Sequence, residues 1–214
     1  MKSRESFRKL AVYLGLAVTI GIAGVANAIS IAGYTFDDNA FADSLISSSG
    51  SFSVSGGTLE DVLTDSALDT YAFTVDSGAY VELGFDDNIL VNGAGADLAL
   101  FELGVADTFG ISLTIGGVTQ NYTSFDTGFD AAGFSVNVAL VDLDDFGLGA
   151  GANLSSIVIA MDIVTPGSGT RPSLAVVGAL NSLDSSPPIP EPASLLLLGG
   201  GLVGLVARRK KFLA

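Results

Sequence analysis

Two acidic clusters carry the side chains of this sequence that are arranged for chemistry. The first runs from Asp86-Asp87-Asn88 through Asn92-Gly93-Ala94-Gly95-Ala96-Asp97 to Glu102. Carboxylates, amide oxygens and glycine-loosened carbonyls gathered in this way form the donor set of a hard cation, which makes Asp86, Asp87, Asp97 and Glu102, with Asp142 and Asp144 below, the candidate ligands for calcium. The second is Asp142-Leu143-Asp144-Asp145-Phe146-Gly147, in which Asp142 and Asp144 lie two apart and would share one face of an extended strand. It is not an EF-hand loop, because the fifth and twelfth positions fall on Phe146 and Asn153. Any site would have to be assembled across loops. The competing reading makes the same acids solvated turn residues, since Asp and Asn favour turns for backbone reasons alone.

Other chemistries are excluded by composition. The chain has no cysteine and no histidine, which removes disulfides, thiolate and imidazole metal ligation, and Ser-His-Asp or Cys-His catalysis. Paired carboxylates remain, as in glycoside hydrolysis. Sugar clefts are usually floored by aromatic platforms, however, and the chain lacks tryptophan. A non-catalytic protein is therefore expected, with a calcium-dependent carbohydrate-binding module as the alternative and a carboxylate hydrolase behind both.

The charges are partitioned along the chain. Eight of the nine basic residues lie at the two ends, at Lys2, Arg4, Arg8 and Lys9 and at Arg208, Arg209, Lys210 and Lys211. Between residues 29 and 188, Arg171 is the single cation against 21 acids, which gives that stretch a formal charge of −20. Such a field repels nucleic acid and anionic lipid, so no nucleic-acid partner is expected.

The ends read as targeting segments. Basic residues up to Lys9, an apolar run from Leu10 to Val25 and the small-residue triplet Ala26-Asn27-Ala28 compose a signal peptide over residues 1–28, cut after Ala28 by signal peptidase. At the other end Pro190-Glu191-Pro192 locks φ at two positions and holds Glu191 extended, open to a processing enzyme. Uncharged residues follow from Ala193 to Ala207, and Arg208 to Lys211 then form a basic stop. As a helix this run would span about 22 Å, short of the ~30 Å hydrocarbon core, so thinning of the bilayer and snorkelling by Arg208 and Arg209 would have to close the gap. Basic ends around an acidic middle suit translocation of the middle with both ends held inside.

A Pro-Glu-Pro box, an apolar helix and an Arg-rich tail in this order resemble the C-terminal sorting signal of PEP-CTERM proteins. The resemblance covers residues 190–214. It implies an exosortase-like processing enzyme as partner, transient membrane anchoring, and an exported product at the cell surface or outside the cell, in contact with extracellular polysaccharide. The segment from Asn92 to Glu102 also resembles a stretch of secreted bacterial sandwich domains, where a glycine-rich turn leads into an Asp-x-x-x-Phe-Glu strand.

The body, residues 29–183, must position the acids, and its pattern is all-β. Alternating stripes recur at Tyr71/Phe73/Val75, Val81/Leu83/Phe85, Phe134/Val136/Val138/Leu140 and Ile157/Ile159/Met161/Ile163, separated by glycine and acidic turns. Ile111–Ile115 and Val118–Tyr122 flank Gly116-Gly117 and predict a hairpin closed by a two-residue loop. A short helix is expected near Leu59–Leu68 and a last strand over Leu174–Leu180. The expected product is an antiparallel β-sandwich of jelly-roll type, with residues 184–189 as a Pro/Ser linker. Asp97 and Glu102 are five apart and would face opposite ways on a regular strand, so one of them must lie in a loop or beside a bulge.

Overall fold

The computed structural model describes residues 28–184. The signal segment up to Asn27, the linker beyond Asp184 and the C-terminal signal, with the membrane helix expected there, lie outside the described residues. Among the described residues no helix is long and apolar enough to cross a membrane.

The described residues open with a hairpin, β1 (Ala28–Ile31) and β2 (Tyr34–Asp37), turning at Ala32-Gly33, where both residues have positive φ. Positive φ at both central positions gives the turn whose twist matches the flanking strands. β3 (Ser44–Ser49), β4 (Ser53–Val54) and β5 (Ala72–Phe73) follow, with helix α1 (Leu59–Leu63) between the last two. Helix α1 starts where Thr58 accepts from the Asp61 amide and Asp61 in turn accepts from the Thr58 backbone N–H, a reciprocal cap that satisfies two orphan donors. Next come β6 (Tyr80–Gly84), β7 (Asn88–Val91), β8 (Leu98–Leu103), β9 (Thr108–Ser112) and β10 (Gln120–Thr123). The remaining strands are β11 (Phe125–Ala131), β12 (Phe134–Val141), β13 (Asn153–Leu154), β14 (Ser156–Ala160), β15 (Ser173–Ala179) and β16 (Ser182–Asp184), with a 3-10 turn at Leu143–Phe146.

These strands form four antiparallel sheets among the described residues. The larger two have the orders β10-β9-β14-β6-β3 and β11-β12-β8-β15-β5-β4; β13-β7-β16 and β1-β2 are smaller. The chain passes repeatedly between the large sheets, from β8 to β9, β10 to β11, β12 to β14 and β14 to β15. One apolar cluster draws on both, with Val81, Leu83, Phe109, Ile111, Ile157 and Ile159 from the first and Leu100, Phe101, Val136, Val138, Val176 and Val177 from the second.

Strand β8 is central to this arrangement and all six of its residues are buried. Alternation sends Ala99, Phe101 and Leu103 to one face, where Tyr34 and Phe36 of the first hairpin meet Phe101 edge-on at 5.8 and 6.0 Å. Leu98, Leu100 and Glu102 take the other face. Strand β8 is covered on both sides, so its sequence runs apolar almost without a break instead of alternating.

The stripes at Val81/Leu83/Phe85 and Ile157/Ile159/Met161 point inward as expected. That at Tyr71/Phe73/Val75 is inverted: Ala72 and Thr74 are buried, while Phe73 is 39% and Val75 72% exposed. The small residues are inside because β5 pairs with β15, and its Ala72 takes the position next to buried Leu174. The β9–β10 hairpin exists, but its tight turn centres on Ile115-Gly116, with Gly117 N–H donating to Thr114 O and Gly116 at φ +75°. Its strands stop at Ser112 and restart at Gln120, with Gln120 opposite Ile111. A left-handed residue at the second central position, not a pair of glycines, sets that turn. Strand β16 ends at Asp184, one residue past the boundary expected between body and linker.

The body's single cation, Arg171, donates from Nε to the Asp162 carbonyl at 3.1 Å and from Nη1 to the Val75 carbonyl. It therefore ties two loops through backbone oxygens.

Candidate functional site

Asp97 stands immediately before β8 and is fully buried. Its Oδ1 accepts from Gly93 N–H at 2.7 Å and Asn181 Nδ2 at 2.9 Å, and its Oδ2 accepts from Leu143 N–H at 2.9 Å. The backbone repeats the linkage: Asp97 N–H donates to Val141 O, and Asp97 O accepts from Leu180 N–H and Asn181 N–H. One carboxylate thus joins the glycine-rich loop, the start of the 3-10 turn and the junction between β15 and β16. Gly93 is required by space, since a Cβ there would fall 2.5 Å from Asn181 Cγ. Asn92 extends the network, donating from Nδ2 to Asp144 Oδ1 at 2.8 Å and Leu148 O at 2.9 Å.

Glu102 lies within β8, on the opposite face from Phe101, and is also fully buried. Its Oε1 accepts from Asp107 N–H at 2.7 Å and from the Ser124 hydroxyl, while Oε2 has no hydrogen-bond partner among the described residues. Buried Asp107 is adjacent, its Oδ1 accepting from the Thr170 hydroxyl. Burial pushes the Glu102 carboxyl up to about 7, and the negative charge of Asp107 pushes the same way; the Ser124 and Asp107 hydrogen bonds pull it down by less. A carboxyl so placed is protonated below neutrality, which lowers the cost of burying it without a counter-charge.

Asp97 is in a loop and Glu102 in a strand, as their spacing requires, and the structure gives them separate partners. Asp86 and Asp87 present their backbone N–H groups to Asp43 Oδ2, at 2.7 and 3.3 Å. The Asp43 carboxyl is raised, chiefly by burial and in part by the neighbouring Asp87 charge. Asp142 caps the 3-10 turn by accepting from Asp144 N–H at 2.9 Å, and Asp144 receives Asn92. Asp142 therefore caps the turn and Asp144 lies within it, so the two do not share the face of a strand. Among the described residues no group of three or more acidic side chains is placed to hold a metal ion. Nor do Asp97 and Glu102 line the shallow depressions beside Tyr80 and Asp162, about 210 Å³, or beside Phe73 and Arg171, about 410 Å³.

Sequence reasoning missed Asp43, Asp107, Ser124 and Asn181. For Asp107 a signal was present, an acid directly preceding a strand with a central apolar pattern. Asn181 stands where composition turns polar, and its side chain ties the end of β15 to Asp97.

Of the terminal candidates, Ala28 opens β1 opposite Asp37. Ala26, Pro190, Glu191, Pro192, Arg208, Arg209, Lys210 and Lys211 lie outside the described residues. A family model of the PEP-CTERM protein-sorting motif matches residues 188–211, which include all three residues of the Pro-Glu-Pro box and the whole basic block. No curated protein and no solved structure matches the chain. The motif implies an exported precursor, anchored in the membrane and processed by an exosortase-like enzyme.

Proposed function

We propose that this chain is a non-catalytic cell-surface or extracellular-matrix protein, delivered by its C-terminal signal and displayed as a folded β-sandwich of jelly-roll type. The observation that carries the reading is the sorting-motif match over residues 188–211. Pro190, Glu191 and Pro192 are the residues read by the processing enzyme, Ala193–Ala207 is the transient anchor and Arg208–Lys211 is its cytoplasmic stop. Signal peptidase acts after Ala28, and the mature body, with its charge of one sign, goes outward. Alternation of the chain between two antiparallel sheets supports the sandwich.

The geometry favours a structural role for the acids. Catalysis by a carboxylate pair needs both groups open to substrate, and Asp97 and Glu102 are enclosed. The oxygens of Asp97 are taken up by three N–H donors, so calcium has no part in the reading.

Mass spectrometry of the protein recovered from its native host tests this. The expected product begins at Ile29 and lacks Arg208–Lys211. A cytosolic product with both ends intact would overturn the proposal.

A further inference from the structure

Four phenylalanines are exposed among the described residues, Phe73 at 39%, Phe134 at 43%, Phe125 at 48% and Phe129 at 52%, and all four stand on one side of the six-stranded sheet. Register fixes that side. Phe125 is opposite Val138 and Phe129 opposite Val136, and these pair onward with Phe101 and Leu103, so both rings face the side that the first hairpin covers in part. Phe134 alternates with Val136 and Val138 and faces the same way. Ala72 is opposite Leu174, which is opposite Glu102 on the far side, so Tyr71 and Phe73 also turn to the side of the phenylalanines.

The rings form a continuous row. The bulge between Asp126 and Phe129 draws Phe125 and Phe129 to about 7 Å along the strand, where four regular residues would take about 14 Å. Phe134 is opposite Ala131 and hence diagonal to Phe129, a separation of about 7 to 8 Å that aromatic side chains bridge. The Tyr71 ring meets Phe134 edge-on at 5.8 Å and Phe73 at 6.3 Å, 32° from parallel. The tip of the first hairpin borders the row, since a Cβ on Gly33 would stand 3.7 Å from the Phe129 ring. At the other end Phe73 forms one wall of the depression of about 410 Å³ beside Arg171.

Single exposed apolar residues need no explanation, but a row of rings is a contact surface. Its charge selects the partner. The neighbouring positions on this side, Ser53, Leu103, Ala131 and Ser173, are uncharged, whereas the stretch from 29 to 188 carries −20. That field repels polyanions, anionic lipid and a second copy of the chain, and these positions offer a cationic partner no carboxylate. An uncharged polymer with flat C–H faces and hydroxyl edges fits instead, its ring faces lying on the aromatic side chains while its hydroxyls stay in water.

We propose that the row from Phe125 to Phe73 binds an uncharged polysaccharide of equatorially linked sugars. The inference rests on the outward delivery proposed above and names a partner for the displayed body. Flat rings, and not apolar area alone, make the contact, so leucine in place of phenylalanine removes it while keeping the sheet.

The test is a depletion isotherm of the full-length chain, carried in phosphatidylcholine nanodiscs, on cellulose, on β-mannan and on alginate beads. Retention on at least one of the two neutral glycans and none on alginate is expected. Phe129→Leu with Phe134→Leu should weaken retention by about tenfold or more, as loss of central aromatic contacts does. Tyr71→Leu with Phe134→Leu should act alike, with circular dichroism unchanged in both, and Phe125→Leu at the sheet edge is the mildest change in the same direction. No retention on either neutral glycan, equal retention on alginate, undiminished retention by the folded variants, or competition by empty nanodiscs overturns the proposal. So do two chains per nanodisc in native mass spectrometry that the same variants separate, which would assign the row to a second copy. Binding is measured on the purified chain, so its failure leaves the sorting reading standing, and that reading fails separately if the native product is cytosolic and uncut.

Discussion

Substituting Glu102 by glutamine should flatten the pH dependence of stability. Glu102 titrates at about 7 in the folded body against an ordinary 4.5. Because the folded-state value is the higher one, its stabilising contribution is complete below about pH 4.5 and is lost as pH rises through 7. A carboxyl raised by one pH unit on folding gains ~1.4 kcal/mol for its protonated form, so the loss between pH 4.5 and 8 is about 3 kcal/mol. For a body of this size that corresponds to roughly 6 to 12 °C in Tm. Glutamine keeps the Oε1 acceptor for Asp107 N–H and Ser124, but its amide N–H groups occupy the position where Oε2 finds no partner. That adds a pH-independent cost of about 1 to 3 kcal/mol. Urea unfolding at pH 5, 6, 7 and 8 should therefore show the native protein weakening by about 2.5 kcal/mol more than Glu102→Gln between the first and last of these. Asp43, whose carboxyl is raised as well, titrates in both proteins and cancels in the comparison. Equal slopes for the two proteins between pH 5 and 8 would refute the reasoning.

Gly93→Ala should destabilise the body by about 1 to 3 kcal/mol, since its Cβ displaces the Asn181 side chain from Asp97. Hydrogen exchange should show the residue 181–184 amides opening first. Phe101→Ala, which empties a fully buried position touched by Tyr34 and Phe36, should cost about 3 to 5 kcal/mol in denaturant unfolding. Millimolar calcium should leave Tm unchanged, because the buried acids are supplied with N–H and O–H donors from the protein itself. A rise of several degrees would show a site that binds the folded state.

The all-β class and the inward stripes of β6 and β14 were legible in the sequence because alternation is a local pattern, and a short helix was expected near Leu59–Leu68, where α1 covers Leu59–Leu63. The inverted stripe at Tyr71–Val75 was not. Two strand residues do not reveal which face is covered, and the deciding fact, the pairing of Ala72 with Leu174, spans a hundred residues of chain. The acids tell the same story. Oxygen-rich loops read alike whether their carboxylates await a cation or receive backbone amides, and only the approach of Leu143 and Asn181 to Asp97 separates the two cases. Glu102 stands out in the sequence as a carboxylate in an apolar strand, but the first hairpin that covers the other face of that strand and the Ser124 and Asp107 donors beside it come from other segments. The C-terminal motif was legible in full, since its parts are contiguous.

Arg171 gives its guanidinium to two backbone carbonyls, and it is the single cation against 21 acids between residues 29 and 188, so repulsion outweighs attraction among the charges of that stretch. In such a molecule dissolved ions have little attraction to weaken and much repulsion to soften. Brine should make it firmer, and where fresh water meets the cell it should be at its loosest. Crowded side by side on a surface, copies of it would hold one another apart like bristles of one sign.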